Sequence, residues 1–300
     1  MMSRLKADAL LLTSAMIWGG SFVAIKDGVA HIGPCTFVAA RFILSALLVL
    51  PLAVREHRRA PAGQDVFRRA AVMDLALLCI AFSGATLLQQ LGATGTSVGN
   101  TGFLTSLYVV LVPVICWTIY KQKLPVWVFP AAIMSVFGVW LLSGGSLQSS
   151  ARIGKGEILV LLCALGFALH VVLVGRVMTR TPAPFRLCFL QYAVMGLFAG
   201  AGALLLEHPD AAGLMAEAVP ILYAGVLSGG VAYTLQAVAQ QYTPSGDAAI
   251  ILGAEGLFAA LAGALLKHER MDAAGIAGCG FIILAILMVE LGPRLAKKNI

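Results

Sequence analysis

Ten long apolar stretches, nearly free of charge, follow one another along a chain of 300 residues, and this pattern restricts the fold more than any other feature. A helix needs about 20 mainly apolar residues to cross the hydrocarbon core of a bilayer. The stretches run approximately from Ala9 to Ile25, Pro34 to Val54, Met73 to Gly92, Gly99 to Tyr120, Val126 to Ser143, Glu157 to Gly175, Phe185 to Leu206, Val219 to Gln240, Ala248 to Leu266 and Ala273 to Leu291. They are too long, and too rich in Leu and Ala, for the alternating strands of about 10 residues that build a membrane barrel. An all-α integral membrane protein of ten transmembrane helices is expected. Composition agrees, because 60% of residues are hydrophobic and 12% charged, which leaves too little polar surface to coat a soluble domain. The formal net charge of +7 falls in short breaks between apolar runs, so it predicts a basic membrane face and no nucleic-acid partner.

The distribution of Lys and Arg orients the chain, since cytoplasmic loops hold an excess of them. With the N-terminus inside, fifteen basic residues fall on the cytoplasmic side and five on the other, with Arg41 inside the second span. Both termini are therefore expected in the cytoplasm, and the protein in the bacterial inner (plasma) membrane as a multi-pass chain. The first apolar run lacks a small-residue cleavage site and is expected to be retained. Six cysteines stand singly in apolar runs, without CxxC pairs or His and carboxylates at metal-ligand spacing, and they read as small lipid- or core-facing side chains. No cofactor or metal is implied.

The chain also repeats. Residues 1–145 form a first five-helix unit, a Gly/Ser-rich linker covers 146–156, and 157–300 form the second unit. At an offset of about 149, Lys6 matches Lys155, Asp8 matches Glu157, Ala15 matches Ala164 and Trp18 matches Phe167. At 147, Leu88-Gln89 meets Leu235-Gln236, Thr96 meets Thr243, and Gly99-Asn100 meets Gly246-Asp247. Five helices per unit is an odd number, so the second copy enters from the opposite side and the repeats have inverted topology. Repeat-built carriers use this symmetry to open a central site to each side in turn.

At these residues the chain resembles the drug/metabolite transporter superfamily and, within it, the EamA family. The resemblance rests on Trp18-Gly19-Gly20-Ser21-Phe22, Ala40-Arg41-Phe42 and Leu111-Val112-Pro113-Val114 in the first half. In the second it rests on Gln236 to Thr243, on Glu255-Gly256-Leu257-Phe258-Ala259 and on Lys267-His268-Glu269. Where the family commonly has Glu-Pro in the ninth span, Gly256 follows Glu255, so the proline that would bend that helix is missing. The acidic residue common after the fourth span is replaced by Lys123. Similarity to the YddG-type amino-acid exporters implies efflux of small metabolites, aromatic and other neutral amino acids first, with other metabolites or drugs, or a channel-like facilitator, as the alternative; a monomer in lipid is compatible with either. The resemblance also implies a cavity lined by the first, third, fourth, sixth, eighth and ninth helices.

Each of those helices offers candidates. On the ninth, Asp247, Ile251, Glu255 and Phe258 share a face at three- and four-residue spacing. A mid-membrane carboxylate is costly without water, a partner or a proton, so Glu255 is a proton-coupling candidate, with a structural hydrogen bond the alternative. On the eighth, Gly229, Tyr233, Gln236 and Gln240 form a polar stripe, and the third carries Gln89 at the equivalent place. Glutamines in lipid also serve as interhelical glue. Asn100 and Tyr108 on the fourth span, and Trp18, Ser21 and Phe22 on the first, complete inward faces whose rings could stack on an aromatic solute. Phe167 and His170 share a face of the sixth, His170 as a proton relay or as a neutral side chain bonded to a backbone carbonyl. Arg41 reads as a snorkelling or ion-paired side chain ahead of a substrate-binding one, on a helix that the resemblance places outside the cavity. Pro113 should loosen the fourth helix, and Gly225, Gly229 and Gly230 permit bending of the eighth. Neither a GxSG serine nor a GxGD aspartate motif is present, so an intramembrane hydrolase is not indicated, and no phosphate-binding loop points to a pump driven by nucleotide.

Overall fold

A computed structural model describes residues 2–59, 69–142, 154–266 and 273–298. Most of the expected linker lies outside the described residues. Among the described residues the regular structure is entirely helical: α1 (Arg4–Asp27), α2 (Pro34–Arg59), α3 (Arg69–Thr94), α4 (Val98–Ser106), α5 (Tyr108–Thr118), α6 (Val128–Leu142), α7 (Lys155–Arg180), α8 (Pro184–Leu206), the short α9 (Ala211–Ala216) and α10 (Ala218–Leu222), a π-helical segment (Tyr223–Tyr233), α11 (Thr234–Ala239), α12 (Ser245–Leu252), α13 (Glu255–Leu266) and α14 (Ala273–Lys298). Eight helical stretches are long and apolar enough to cross a membrane, and α6 is a shorter apolar helix. Large apolar side chains such as Leu197, Leu204 and Ile80 are more exposed than most, as befits a surface whose solvent is lipid.

Three of the expected spans are not continuous α-helices, and each departure has a local cause. The fourth is interrupted at Leu107, between α4 and α5, and within α5 Pro113 leaves the Val109 carbonyl without its helical donor. The eighth winds as a π-helix over Tyr223–Tyr233, where hydroxyls of neighbouring helices reach its carbonyls: Ser45 to Gly225 at 2.7 Å, Tyr192 to Gly229 at 2.8 Å and Ser14 to Ala232 at 2.9 Å. Its glycines make that approach possible, since a Cβ at Gly225 would lie 2.9 Å from the Arg41 carbonyl oxygen and one at Gly229 would collide with the Ser45 hydroxyl. The ninth breaks at Gly253–Ala254 without any proline. A Cβ at Gly253 would lie 2.9 Å from both Ser135 Oγ and Val109 Cγ2.

The helices pack across the halves more than within them. α2 lies against α8, α3 against α7 and α6 against α14, while α1 sits between the π-segment, α11 and α13, and α7 between α3, α4 and α5. Exchanging each first-half helix with its second-half counterpart returns the same set of pairs, so the packing has a pseudo-twofold character. Polar contacts identify the two ends of the bundle. Arg4, Asp8, Asp74, Arg180, Thr243 and Asp247 meet at one, and Lys26, Thr36, Thr96, Glu157 and Glu207 at the other. Gly292 of α14 lies against Trp127 at the start of α6, which puts the C-terminal helix's end on the same face as the N-terminus.

Candidate functional site

At the middle of α1, Trp18 donates from its indole nitrogen to the Ser228 carbonyl in the π-segment (3.2 Å) and lays its ring 4.5 Å from that of Tyr233. Tyr233 meets Phe82 of α3 edge-on at 5.0 Å, and Phe82 stands 5.0 Å from the His170 ring. This aromatic wall borders a cavity to which α1, α2, α3, α4, α5, α7, the π-segment, α11, α12 and α13 all contribute. Polar groups face it from several helices. Gln89 reaches Thr105 (3.3 Å), Gln236 donates to Gln240 (3.0 Å), and Gln240 donates in turn to the Val171 carbonyl (2.9 Å). His170 pairs through Nε2 with the Gln191 side chain at 2.9 Å rather than with a backbone carbonyl.

Four side chains of this cavity keep a buried polar atom without a partner: Arg41 Nε, Tyr108 Oη, Gln236 Oε1 and Glu255 Oε1. The Tyr108 hydroxyl and the Glu255 carboxylate adjoin one another but do not close a well-formed hydrogen bond. A buried polar group left unsatisfied costs about 1–3 kcal/mol, and a charged one more. Four such atoms in one hollow leave it with unused hydrogen-bonding capacity. The free space is about 40 Å³, room for about three water molecules at ~10–15 Å³ each. A metabolite of ten or more heavy atoms therefore needs the walls to part.

Of the sequence-predicted residues, Trp18, Ser21, Phe22, Gln89, Tyr108, Phe167, His170, Tyr233, Gln236 and Glu255 all line the cavity. Asn100 and Phe258 do not. Asn100 sits in the first turn of α4, its amide capped by the Ser97 hydroxyl (3.1 Å), near the end of the bundle that carries Thr96. Phe258, three residues after Glu255 on α13, packs instead in a separate apolar cluster with Ala15, Val139 and Ile282. On the eighth span, Ser228 faces the cavity where Gly229 was expected, since π-winding advances the register and Gly229 instead seats Ser45. The largest correction is Arg41. It is 4% exposed, lines the cavity, and lies over the rings of Phe42 (4.8 Å) and Phe37 (5.4 Å), so it neither snorkels nor makes an ion pair among the described residues.

Repeat-related hydrogen bonds close the two ends. Thr243 donates to Asp8 at one (2.5 Å), and its counterpart Thr96 donates to Glu157 at the other (2.7 Å). The first is reinforced by Arg4, which bridges Asp8 (3.4 Å) and Asp247 (2.5 Å), and is buried, with Asp8 3% and Thr243 2% exposed. The second involves partly exposed residues and the Lys26 ammonium on the Thr96 carbonyl (3.1 Å). On the N-terminal face a groove of about 260 Å³ lined by Arg176, Gln240, Thr243 and Ser245 leads inward, and Gln240 stands between it and the Gln236 wall of the cavity.

The profile of the EamA-like transporter family matches this chain twice, over residues 5–144 and 154–291. An uncharacterized transporter of Archaeoglobus fulgidus is 30% identical over 96% of this chain and 87% of its own length. A second uncharacterized transporter of that organism is 25% identical over 89% of this chain and 91% of its own. A WAT1-related chloroplastic protein of Arabidopsis thaliana is 22% identical over 94% of this chain and 68% of its own. One protein crystal structure shares the fold, with a TM-score of 0.79 at 15% identity over 98% of this chain and 99% of the other.

Proposed function

Because the chain belongs to the EamA-like transporter family, we propose that it is a secondary transporter that carries small metabolites through the central cavity by alternating access. In this reading it crosses the membrane ten times, as two inverted five-helix repeats joined by the segment 146–156, with both termini in the cytoplasm. The observation that carries it is the cavity itself: an aromatic wall and four unpartnered polar atoms, held between repeat-related helices and closed at opposite ends by repeat-related Thr–carboxylate bonds. Two similar closures, one deeply buried and one partly exposed, are what a carrier caught between its two open forms would display.

The finer reading is export of aromatic and other neutral amino acids across the plasma membrane. Trp18, Tyr233, Phe167 and Phe22 supply ring faces for an aromatic side chain. Glu255, buried and without an ion-pair partner among the described residues, is the group to couple proton movement to solute movement. Reconstitution into liposomes with a labelled metabolite panel tests the proposal. Saturable flux and counterflow are expected. Flux that rises linearly with concentration, without counterflow, would indicate a pore instead.

A further inference from the structure

Resting on the carrier reading, we propose that Arg41 and Glu255 form a two-pronged site for a zwitterionic solute, the guanidinium taking its carboxylate and the Glu255 carboxylate its ammonium. Both residues line the same cavity, both are 4% exposed, and each keeps a polar atom unpartnered. Direct contact would collapse the two into an ion pair, yet they are held more than 4.0 Å apart and make none. The scaffold prevents the collapse. Arg41 is pinned between the Phe37 and Phe42 rings on α2, and Glu255 begins α13 immediately after the break at Gly253–Ala254.

The repeat sets a neutral residue opposite each of these charges. Arg41 stands seven residues after Pro34, the first residue of α2, and Gln191 stands seven after Pro184, the first of α8. Glu255 and Tyr108 are related by the same offset of 147 that relates Gln236 to Gln89. Each charge therefore has a neutral counterpart in the other half. Gln191 is satisfied by His170, while Arg41 has no such partner. Both of these charged positions line the cavity.

A solute with both charges close together neutralises both prongs at once and crosses with no net charge. One bearing a single charge leaves the other prong buried and unpaired, the costliest arrangement for an ion in a protein interior. The aromatic wall lies beside the pair, so the solute's side chain is directed to Trp18 and Tyr233. Glu255 can serve in proton coupling as well, since its carboxylate takes the ammonium or a proton in turn.

The test uses the full chain in proteoliposomes. A mixed panel of sugars, nucleosides, organic acids, amines and amino acids first identifies a solute that moves. L-Phenylalanine, phenethylamine, which lacks the carboxylate, and 3-phenylpropionate, which lacks the ammonium, then compete against it. Phenylalanine is expected to inhibit at least tenfold more strongly than either analogue. Arg41→Gln should erase the discrimination against phenethylamine, and Glu255→Gln that against 3-phenylpropionate, in protein whose detergent melting curve matches wild type. Equal inhibition by all three compounds, or none by phenylalanine, overturns the two-pronged site while leaving the carrier intact. Movement of no solute at all overturns the carrier reading itself. The competition series on the wild-type protein decides the matter even if a variant fails to fold.

Discussion

Replacing Arg4 with Gln should loosen the N-terminal closure selectively. Arg4 is the cation shared by Asp8 and Asp247, whose side chains are 2% and 5% exposed, while Arg4 itself is 35% exposed. Breaking a fully buried pair costs about 3–5 kcal/mol, and an exposed one is worth about 0–1 kcal/mol. A pair buried on the acidic side and one-third open on the basic side falls between them, at about 2 kcal/mol. At about 1.4 kcal/mol per factor of ten, the local opening equilibrium shifts by roughly 30-fold. Hydrogen–deuterium exchange in nanodiscs reads this directly, because amide exchange of locally opening segments tracks their opening free energy. Amides of α12 (Ser245–Leu252) should exchange roughly 30-fold faster in Arg4→Gln by that arithmetic, with α14 (Ala273–Lys298) unchanged. Arg4→Lys, which keeps the charge, should restore most of the protection. Unchanged exchange in α12 would refute the reasoning, as would a uniform rise across the chain.

Other outcomes follow from named contacts. Glu255→Gln should flatten the pH dependence of flux while leaving the protein folded; an unchanged pH–rate profile removes Glu255 from coupling. Tyr192→Phe deletes the hydroxyl that donates to the Gly229 carbonyl (2.8 Å), so thermal unfolding in detergent should show a loss of about 1 kcal/mol. Gly278→Ala would set a Cβ 3.0 Å from Leu141 Cβ and 3.1 Å from the Leu142 amide nitrogen; pushing α14 off α6 should cost about 1–3 kcal/mol in the same assay. Trp18→Ala should raise the KM for an aromatic solute at least tenfold and leave that of a small aliphatic one nearly unchanged, as flux kinetics on the two would reveal.

Much of this arrangement could be read from residue order. Of the ten expected spans, eight helical stretches are long and apolar enough to cross a membrane and α6 is shorter, and the repeat-matched residues Asp8 and Glu157, Thr96 and Thr243 turn out to form two hydrogen bonds at opposite ends of the bundle. Ten of the twelve residues singled out from inward-facing stripes line one cavity. Where the reading failed, regular helical periodicity had been assumed across a discontinuity. The break at Gly253–Ala254 separates Asp247 and Ile251 from the helix that carries Glu255 and Phe258, so the four no longer share one stripe. Ser228 replaced Gly229 because hydroxyls on α1, α2 and α8 drew the eighth span into π-winding, a tertiary effect invisible in one segment. Arg41 reads from sequence as a snorkelling or ion-paired residue ahead of a binding one for a different reason. The resemblance assigned its helix to the outside, although a lone cation within an apolar run already pointed to an interior or functional place.

The central claim is that one cavity faces the two sides of the membrane in turn. A single cysteine at Ser228, in a background with the six native cysteines replaced, reports on it through labelling by impermeant maleimide from either face of oriented vesicles. The account predicts labelling from both faces, and loss of labelling from the N-terminal face alone when cysteines at Asp8 and Thr243 are joined by a disulfide. Labelling from only one face, or from both despite that cross-link, would contradict it.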